Sequence, residues 1–222
     1  MSELFYLGHD GFLLKDNNFS LVLDYWDLKN KAFQGNWVRS EKIELSEEIK
    51  KVVYNPKYVW VSHEHTDHFD PIYLKQLNAN TTLLLPKFID EFFLKKVLEL
   101  GLNCSITLLD PYKWINLDNE LEIKVILEQP EYTCHASLLI NIDKKIILHN
   151  GDTSITPKFL EYIDKSCIDY FLAQYTPPTP YPWTNEDLPE NEKDNIFDTV
   201  LESQLQHFAD SCKSLNVKNA VP

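Results

Sequence analysis

The sequence is poor in positive charge and in long apolar runs, and both shortages exclude classes of protein. Its 222 residues carry 21 Lys+Arg against 34 Asp+Glu, for a net charge of -13, and Arg39 is its one arginine. A surface that follows a phosphate backbone is therefore not expected, which argues against a nucleic-acid partner. No apolar run approaches about 18 residues, and the N-terminus lacks a basic signal segment, so we expect a cytoplasmic protein that spans no membrane.

Cysteine is also scarce, and its spacing predicts no disulfide framework. Cys104, Cys134, Cys167 and Cys212 form no CxxC pair, so we expect four free thiols. A composition of 44% hydrophobic and 25% charged residues is typical of a globular protein. The sequence shows no internal repeat and no shift in composition, so we predict a single domain over residues 1–222.

Apolar patterning predicts an α/β fold with mixed sheets, because hairpin-like strands come first and strands then alternate with helices. Ser46 followed by two acids, and Asp70-Pro71, are typical helix starts, whereas Asp143-Lys144 is typical of a two-residue hairpin turn. The predicted strands cover 3–7, 12–15, 19–24, 57–62, 81–85, 104–109, 120–127, 135–142, 145–149 and 168–173, and helices are predicted to begin near 46, 70, 88, 157 and 193.

One short segment carries the strongest chemical signal in the chain. His63-Glu64-His65-Thr66-Asp67-His68 follows a predicted buried strand directly, and it holds three of the seven histidines. Imidazole and carboxylate groups are the ligands that zinc and similar divalent metals take in proteins, and side chains two apart converge on an irregular loop. Solvated histidines on a polar turn would leave this spacing unexplained, so we predict shared metal ligation.

The His-x-His-x-Asp-His element after an apolar strand resembles the signature of the metallo-β-lactamase fold superfamily. The resemblance implies a four-layer αββα sandwich with mixed sheets, and it requires two further ligands downstream. His135, at the head of an apolar strand, resembles the later metal-binding histidine, and Asp152 in the Gly151-Asp152 turn resembles the bridging aspartate. The implied ligands are His63, His65 and His135 for the first ion, Asp67 and His68 for the second, and Asp152 between them.

The sequence departs from the superfamily pattern near its C-terminal end. A last ligand histidine normally follows a late strand, and the sequence given ends at Val221-Pro222, where such a strand would begin. Either a C-terminal strand with a ligand is missing, or the second metal position uses fewer protein groups. His207 lies in the predicted long helix, and we expect it to be a surface or packing residue.

Two features resemble one branch, which is related to the metal-binding domain of CMP-N-acetylneuraminate hydroxylase and to bacterial sugar-pathway hydrolases. One is the Gly8-His9 start, which places His9 in a substrate-lining role or in a structural hydrogen bond. The other is the proline-rich aromatic stretch, in which Tyr175, Tyr181 and Trp183 would form a wall for a sugar or nucleotide ring, unless they only pack.

We therefore predict a metal-dependent hydrolase that acts on an ester, lactone or phosphodiester of a small anionic substrate. Asp67 and Asp152 are the predicted catalytic residues, with one or two divalent ions, zinc first and manganese or iron as alternatives. A second reading is a non-haem di-iron oxidoreductase component that receives electrons from a separate protein, because the chain lacks the paired Cys/His elements of a Rieske cluster. A third is a metal-binding protein without turnover. The sequence leaves the oligomeric state open.

Overall fold

The computed structural model describes residues 2–39, 43–118, 121–128, 135–163, 168–175 and 182–221. The first half of the chain forms a six-stranded sheet with its strands in sequence order. The first three strands pair antiparallel, and the third to the sixth pair parallel. These strands are β1 (Glu3–Gly8), β2 (Gly11–Lys15), β3 (Ser20–Leu23), β4 (Tyr58–Trp60), β5 (Thr82–Pro86) and β6 (Ser105–Leu109).

The second half repeats this plan with a second six-stranded sheet. Four strands form an antiparallel meander, and two parallel strands complete the sheet beside the fourth of them. The strands are β7 (Ile115–Asp118), β8 (Leu121–Leu127), β9 (Ala136–Ile142), β10 (Lys145–His149), β11 (Tyr170–Leu172) and β12 (Asn219–Val221). Both sheets are mixed, as predicted.

Five helices are present in the described part of the chain: α1 (Glu47–Val53), α2 (Pro71–Leu74), α3 (Phe92–Glu99), α4 (Pro157–Glu161) and α5 (Glu190–Ser214). The Ser46 hydroxyl accepts a hydrogen bond from the Ile49 N–H, and the Asp70 carboxylate accepts from the N–H groups of Ile72 and Tyr73. Both predicted helix starts are thus confirmed as side-chain caps. None of these helices combines the length and the apolar composition needed to cross a membrane.

Alternating side chains on the strands build three apolar layers. Leu14, Leu23 and Trp60 of the first sheet face Val125 and Ile140 of the second, which forms the core between the sheets. The outer face of the first sheet packs against α1, α2 and α3, and that of the second packs against α4 and α5. The order helix, sheet, sheet, helix is the predicted four-layer αββα sandwich.

Several elements were not predicted. The edge strand β7 has only half-buried or exposed side chains, so its apolar pattern is weak. The expected ordered loop after β3 contains a 3-10 turn, Phe33–Gly35, in which Phe33 and Gln34 both take positive φ angles. Of the expected free thiols, Cys104 and Cys212 are free, whereas Cys134 and Cys167 lie outside the described residues.

Candidate metal centre

The predicted ligands gather at one end of the sandwich, where strands of both sheets stop. Parallel neighbours end side by side, so Asp24 after β3 lies next to the residues that follow β4. In the second sheet, β9 begins beside the end of β10, which places His135 close to the Gly151-Asp152 turn. Gly151 has a φ of 56°, a conformation that favours glycine, and its backbone lies beside the Ser62 side chain of the other sheet.

The segment 63–68 is a tight turn, and its backbone hydrogen bonds explain how it presents its side chains. The N–H groups of His68 and Phe69 both donate to the His65 carbonyl, at 3.0 and 2.7 Å. Asp70 then caps α2 and also accepts from the Asp27 N–H at 3.1 Å. The turn is therefore fixed at its end, with Asp67 and His68 buried and His65 exposed by 42%.

Four side chains converge into a first ligand group, made of His63, His65, His135 and Asp152, whose nearest donor atoms all lie within 4.8 Å of one another. His63 Nε2 is 2.9 Å from His65 Nδ1 and 3.5 Å from Asp152 Oδ2. His65 Nδ1 is 4.0 Å from the same carboxylate oxygen, and the His135 ring centroid lies 4.6 Å from that of His63. Three imidazoles and a carboxylate around one point match a divalent-metal site.

A second ligand group, made of His9, Asp67 and His68, lies beside the first, again within 4.8 Å. His9 Nε2 is 3.0 Å from Asp67 Oδ2, and His68 Nε2 is 3.8 Å from that oxygen. Asp152 Oδ1 lies 3.5 Å from His68 Nε2, whereas its other oxygen faces His63. Asp152 thus contacts both groups, in the position in which a bridging carboxylate is expected.

Two carboxylates accept hydrogen bonds from ligand imidazoles and thereby fix the orientation of the rings. His68 Nδ1 lies 2.9 Å from Asp24 Oδ2, and His135 Nδ1 lies 3.2 Å from Glu128 Oε2. A carboxylate only accepts hydrogen bonds, so both Nδ1 atoms carry a proton, and each Nε2 atom presents a lone pair when its ring is neutral. Within the described residues these two Nε2 atoms are buried and have no hydrogen-bond partner. Two buried Nε2 atoms without a hydrogen bond, in a cluster that also contains Asp152, fit ligands of a bound cation.

The orientation of the His63 ring is fixed in a similar way, through hydrogen bonds to Ser62 and from Ser62 to Asp24. The Ser62 hydroxyl donates to Asp24 in a short hydrogen bond and lies 2.9 Å from His63 Nδ1, from which it accepts. The Ser62 N–H also donates to Asp24, at 2.8 Å. Asp24 therefore orients two ligand histidines from a fully buried position.

The electrostatics of the cluster favour positive charge at its centre. Burial opposes the charged form of Asp152, yet the positive charge of His68 and the close approach of His63, His65 and His68 hold the pKa of this carboxyl far below its usual range. Burial also opposes a charged His68, but Asp152 and Asp24 raise its pKa well above the usual value. Burial and the neighbouring His68 lower the pKa of His63 to about 4, so His63 is neutral and able to ligate at pH 7.

A buried ion pair below the cluster escaped the sequence analysis. His149 Nε2, at the end of β10, lies 3.1 Å from Asp10 Oδ2 in the turn between β1 and β2. Burial opposes a charged His149, but Asp10 raises its pKa to about 9, so the pair is ionic and joins the two sheets. No sequence signal relates two residues that lie 139 positions apart.

Aromatic residues flank the open side of the cluster. Phe33 lies 6.0 Å from the His65 ring and 4.7 Å from Trp37, and its N–H donates to the Thr66 hydroxyl at 2.6 Å. Of the predicted aromatic wall, Trp183 contacts Phe197 of α5 at 5.8 Å between ring centroids and is 43% exposed, and its substrate role stays a prediction. Tyr175 is exposed, and Tyr181 lies outside the described residues, so their substrate role stays a prediction.

Comparison with protein families gives one match that covers most of the chain. A model of the beta-lactamase superfamily domain matches residues 3–173. Among curated proteins, a Mycolicibacterium smegmatis protein described as a Rieske 2Fe-2S iron-sulfur protein is 32% identical over 83 residues. That alignment covers 37% of this chain and 15% of the relative.

Solved structures share the fold at low sequence identity. CmlA, a diiron β-hydroxylase from Streptomyces venezuelae, is 13% identical with a TM-score of 0.61, over 99% of this chain and 44% of its own. An isothiocyanate hydrolase from Delia radicum gut bacteria is 13% identical with a TM-score of 0.64, over 99% of this chain and 84% of its own. Igni18, a metallo hydrolase from Ignicoccus hospitalis, is 16% identical with a TM-score of 0.58, over 100% of this chain and 81% of its own.

The chain spans less than half the length of the Mycolicibacterium protein and of CmlA. The family match ends at residue 173, so a single domain over residues 1–222 stays a prediction. The superfamily resemblance seen in the sequence and the predicted fold class are both confirmed.

Proposed function

The chain belongs to the beta-lactamase superfamily, and we propose that it is a metal-dependent hydrolase of a small anionic ester, lactone or phosphodiester. The observation that carries the proposal is the convergence of two ligand groups on Asp152, with buried, unpartnered Nε2 atoms on His68 and His135. A structural cluster without a ligand would leave these nitrogens as uncompensated buried polar atoms.

The two groups have the donor chemistry for one or two divalent ions. Imidazole nitrogens and carboxylate oxygens suit zinc first, with manganese and iron as alternatives. When bound, such ions lower the pKa of a coordinated water toward 7 and polarise the carbonyl or phosphoryl oxygen that is attacked. In this proposal His63, His65 and His135 hold the first ion, Asp67 and His68 the second, and Asp152 joins both.

Two aspartates are the proposed catalytic residues. Asp67 is buried, and its Oδ1 has no hydrogen-bond partner in the described part of the chain, while its Oδ2 contacts His9. The hydrogen bond from His9 and the charge of His68 outweigh burial and keep the pKa of Asp67 low, so its Oδ1 can orient the attacking water as an acceptor. Asp152, with a quarter of its side chain exposed, lies where that water and the substrate oxygen meet the ligands.

The flanking aromatic side chains support a ring-bearing substrate. Phe33 and Gln34 have φ angles of 48° and 58°, which are rare for residues other than glycine and cluster at functional sites. The hydrogen bond from Phe33 to Thr66 and the Ala32–Trp37 bridge hold this conformation next to the His-x-His-x-Asp-His turn. We propose that Phe33 and Trp37 contact a sugar or nucleotide ring, in addition to the role predicted for Tyr175, Tyr181 and Trp183.

The test is turnover by metal-reconstituted protein on chromogenic lactone, carboxylic ester and phosphodiester substrates. Asp67→Asn preserves the side-chain volume and removes the acceptor charge, and we expect it to lower kcat by about 10²-fold or more. The matched control is His207→Ala, because His207 is an exposed histidine of α5. Unchanged turnover in Asp67→Asn would overturn the catalytic assignment, and a metal-loaded wild type without turnover on all three classes would favour a binding protein.

A second candidate is a di-iron oxidoreductase component, favoured by the partial match to the Rieske protein and by the fold shared with CmlA. The described ligand groups would hold the irons, and a separate protein would deliver the electrons. Purification without added metal separates the two proposals, because about two equivalents of iron with visible colour support this candidate and zinc supports the hydrolase.

A further inference from the structure

We propose that His9 is a ligand of the second metal position, together with Asp67, His68 and Asp152. This inference rests on the proposed function, since it requires that the cluster bind divalent metal. It assigns to the N-terminal turn a direct role in the metal centre, in place of the predicted substrate contact.

The spacing of the donor atoms fits one coordination sphere. A tetrahedral site with bonds of about 2.1 Å has ligand atoms about 3.4 Å apart. In the second group, His9 Nε2 and Asp67 Oδ2 are 3.0 Å apart, His68 Nε2 and Asp67 Oδ2 are 3.8 Å apart, and His68 Nε2 and Asp152 Oδ1 are 3.5 Å apart. The first group shows the same range, with 2.9 Å, 3.5 Å and 4.0 Å among His63, His65 and Asp152.

Each of two companions of His9 in this sphere, Asp67 and His68, has one buried polar atom without a hydrogen bond in the described part of the chain. Asp67 is exposed by 5% and His68 by 1%, and Asp67 Oδ1 and His68 Nε2 are buried without a hydrogen bond in the described part of the chain. His9 closes the side of this group that faces Trp26, whose ring it meets edge-on at 5.4 Å. Without His9, the second metal position would have one imidazole, that of His68, and two carboxylates, those of Asp67 and the shared Asp152.

The backbone around His9 is built to hold it in place. His9 has a φ of 53° in the turn between β1 and β2, a left-handed conformation that is unfavourable for a residue with a side chain. Arg39 donates to the Leu7 carbonyl at 2.8 Å and to the Trp26 carbonyl at 2.6 Å, and thereby ties this turn to the indole that His9 contacts. A Cβ on Gly8 would lie 1.4 Å from Arg39 Nη2, so glycine is required for this clamp.

His9 could instead serve only as a hydrogen-bond donor to Asp67, and two substitutions separate these roles. His9→Asp retains an oxygen ligand for zinc but cannot donate to Asp67, whereas His9→Gln retains an amide donor but is a poor ligand. The matched control is His207→Gln, which removes an exposed histidine from α5.

The experiment titrates metal-free protein with zinc in competition with a chromophoric chelator, with circular dichroism to confirm the fold of each variant. We expect two binding steps in wild type and His207→Gln. In His9→Gln the affinity of the second step should fall by about 10²-fold with the first step unchanged, and His9→Asp should recover part of the loss.

The opposite result would be a second step whose zinc affinity is unchanged in His9→Gln and reduced in His9→Asp. It would show that His9 only donates a hydrogen bond to Asp67. A wild type that binds one zinc would also overturn the role of His9 while leaving a one-metal hydrolase in place. A wild type that binds no metal would overturn the proposed function itself.

Discussion

The two sheets supply the candidate metal centre in different ways. The first sheet supplies four candidate ligands from one six-residue turn after β4, whereas the second supplies the candidates His135, before β9, and Asp152, after β10. In the first sheet the supporting carboxylate, Asp24, is fully buried and accepts from Ser62 and His68. In the second sheet Glu128 is partly exposed and supports His135 alone among the ligands.

This difference indicates that the candidate ligands at 63–68 are already fixed by the first sheet, as a preformed half-site. His135 and Asp152 of the second sheet then complete the site. The halves meet through two contacts that need both sheets, the Asp10–His149 ion pair and the approach of Gly151 to Ser62. Metal binding should therefore depend on sheet packing, and changes in the first sheet should cost more than equivalent changes in the second. Four predictions test this comparison, in order of decreasing effect.

The largest effect is expected for Asp152→Ala, because this carboxylate lies 3.5 Å from a histidine of each ligand group, His63 and His68. Losing it should release metal from both positions and lower kcat/KM by about 10³-fold or more, since metal activation contributes several kcal/mol. Metal analysis and kinetics on the same preparation measure both effects. Full metal content in this variant would show that the two halves bind metal independently.

The second largest effect is expected for Asp24→Asn. The amide places a donor where the Ser62 hydroxyl and His68 Nδ1 both donate to Asp24, so two ligand histidines lose their orientation. We expect zinc affinity to fall by about 100-fold, together with a lower midpoint of thermal unfolding. Competition titration and a thermal melt measure the two changes, and wild-type zinc affinity would argue against a preformed half-site.

Glu128→Gln should have a smaller effect, because His135 is the one proposed ligand that Glu128 contacts in the described residues, its other hydrogen bond coming from the Ser154 N–H. The expected decrease in zinc affinity is about 10-fold, at the low end for residues that support metal ligands. Glu122→Gln is a matched control on β8, the strand that Glu128 follows, where Glu122 accepts a hydrogen bond from Asn141 at 2.8 Å. A loss in Glu128→Gln that exceeds the loss in Asp24→Asn would reverse the comparison between the sheets.

The smallest effect is expected on stability when a chelator removes the metal. At a free-metal concentration of about 5 times Kd, bound metal stabilises the folded state by about 1 kcal/mol, or about 2–4 °C in Tm for a chain of this size. Hydrogen exchange should rise more in the 150–153 turn of the second sheet than in the 63–68 turn. Equal increases in both turns would contradict a preformed half in the first sheet.

The sequence predicts the first half of the site better than the second. His63, His65, Asp67 and His68 are recognisable because they are contiguous, and their turn needs only local hydrogen bonds. His135 and Asp152 were identified only through the superfamily resemblance, since each is a single polar residue at a strand end. The hairpin turn at Asp143-Lys144 was also predicted, and both residues have the positive φ angles of that turn type.

The remaining features depend on tertiary contacts that local sequence does not encode. The pairing of Asp10 with His149 arises only when the two sheets pack. The positive φ angles of Phe33 and Gln34 run against local preference and are held by contacts with Thr66 and Trp37. Similarly, nothing in the spacing of His9 shows that the turn after β1 reaches Asp67.

Metal content tests the central claim most directly. Protein expressed without added metal is analysed by plasma mass spectrometry as wild type, His65→Ala and His207→Ala, since His65 belongs to the first ligand group and His207 lies on α5. We predict about two equivalents of divalent metal in wild type and in His207→Ala, with loss of at least one in His65→Ala. Wild-type protein that holds no metal, even after incubation with zinc, manganese or ferrous iron, would contradict the account.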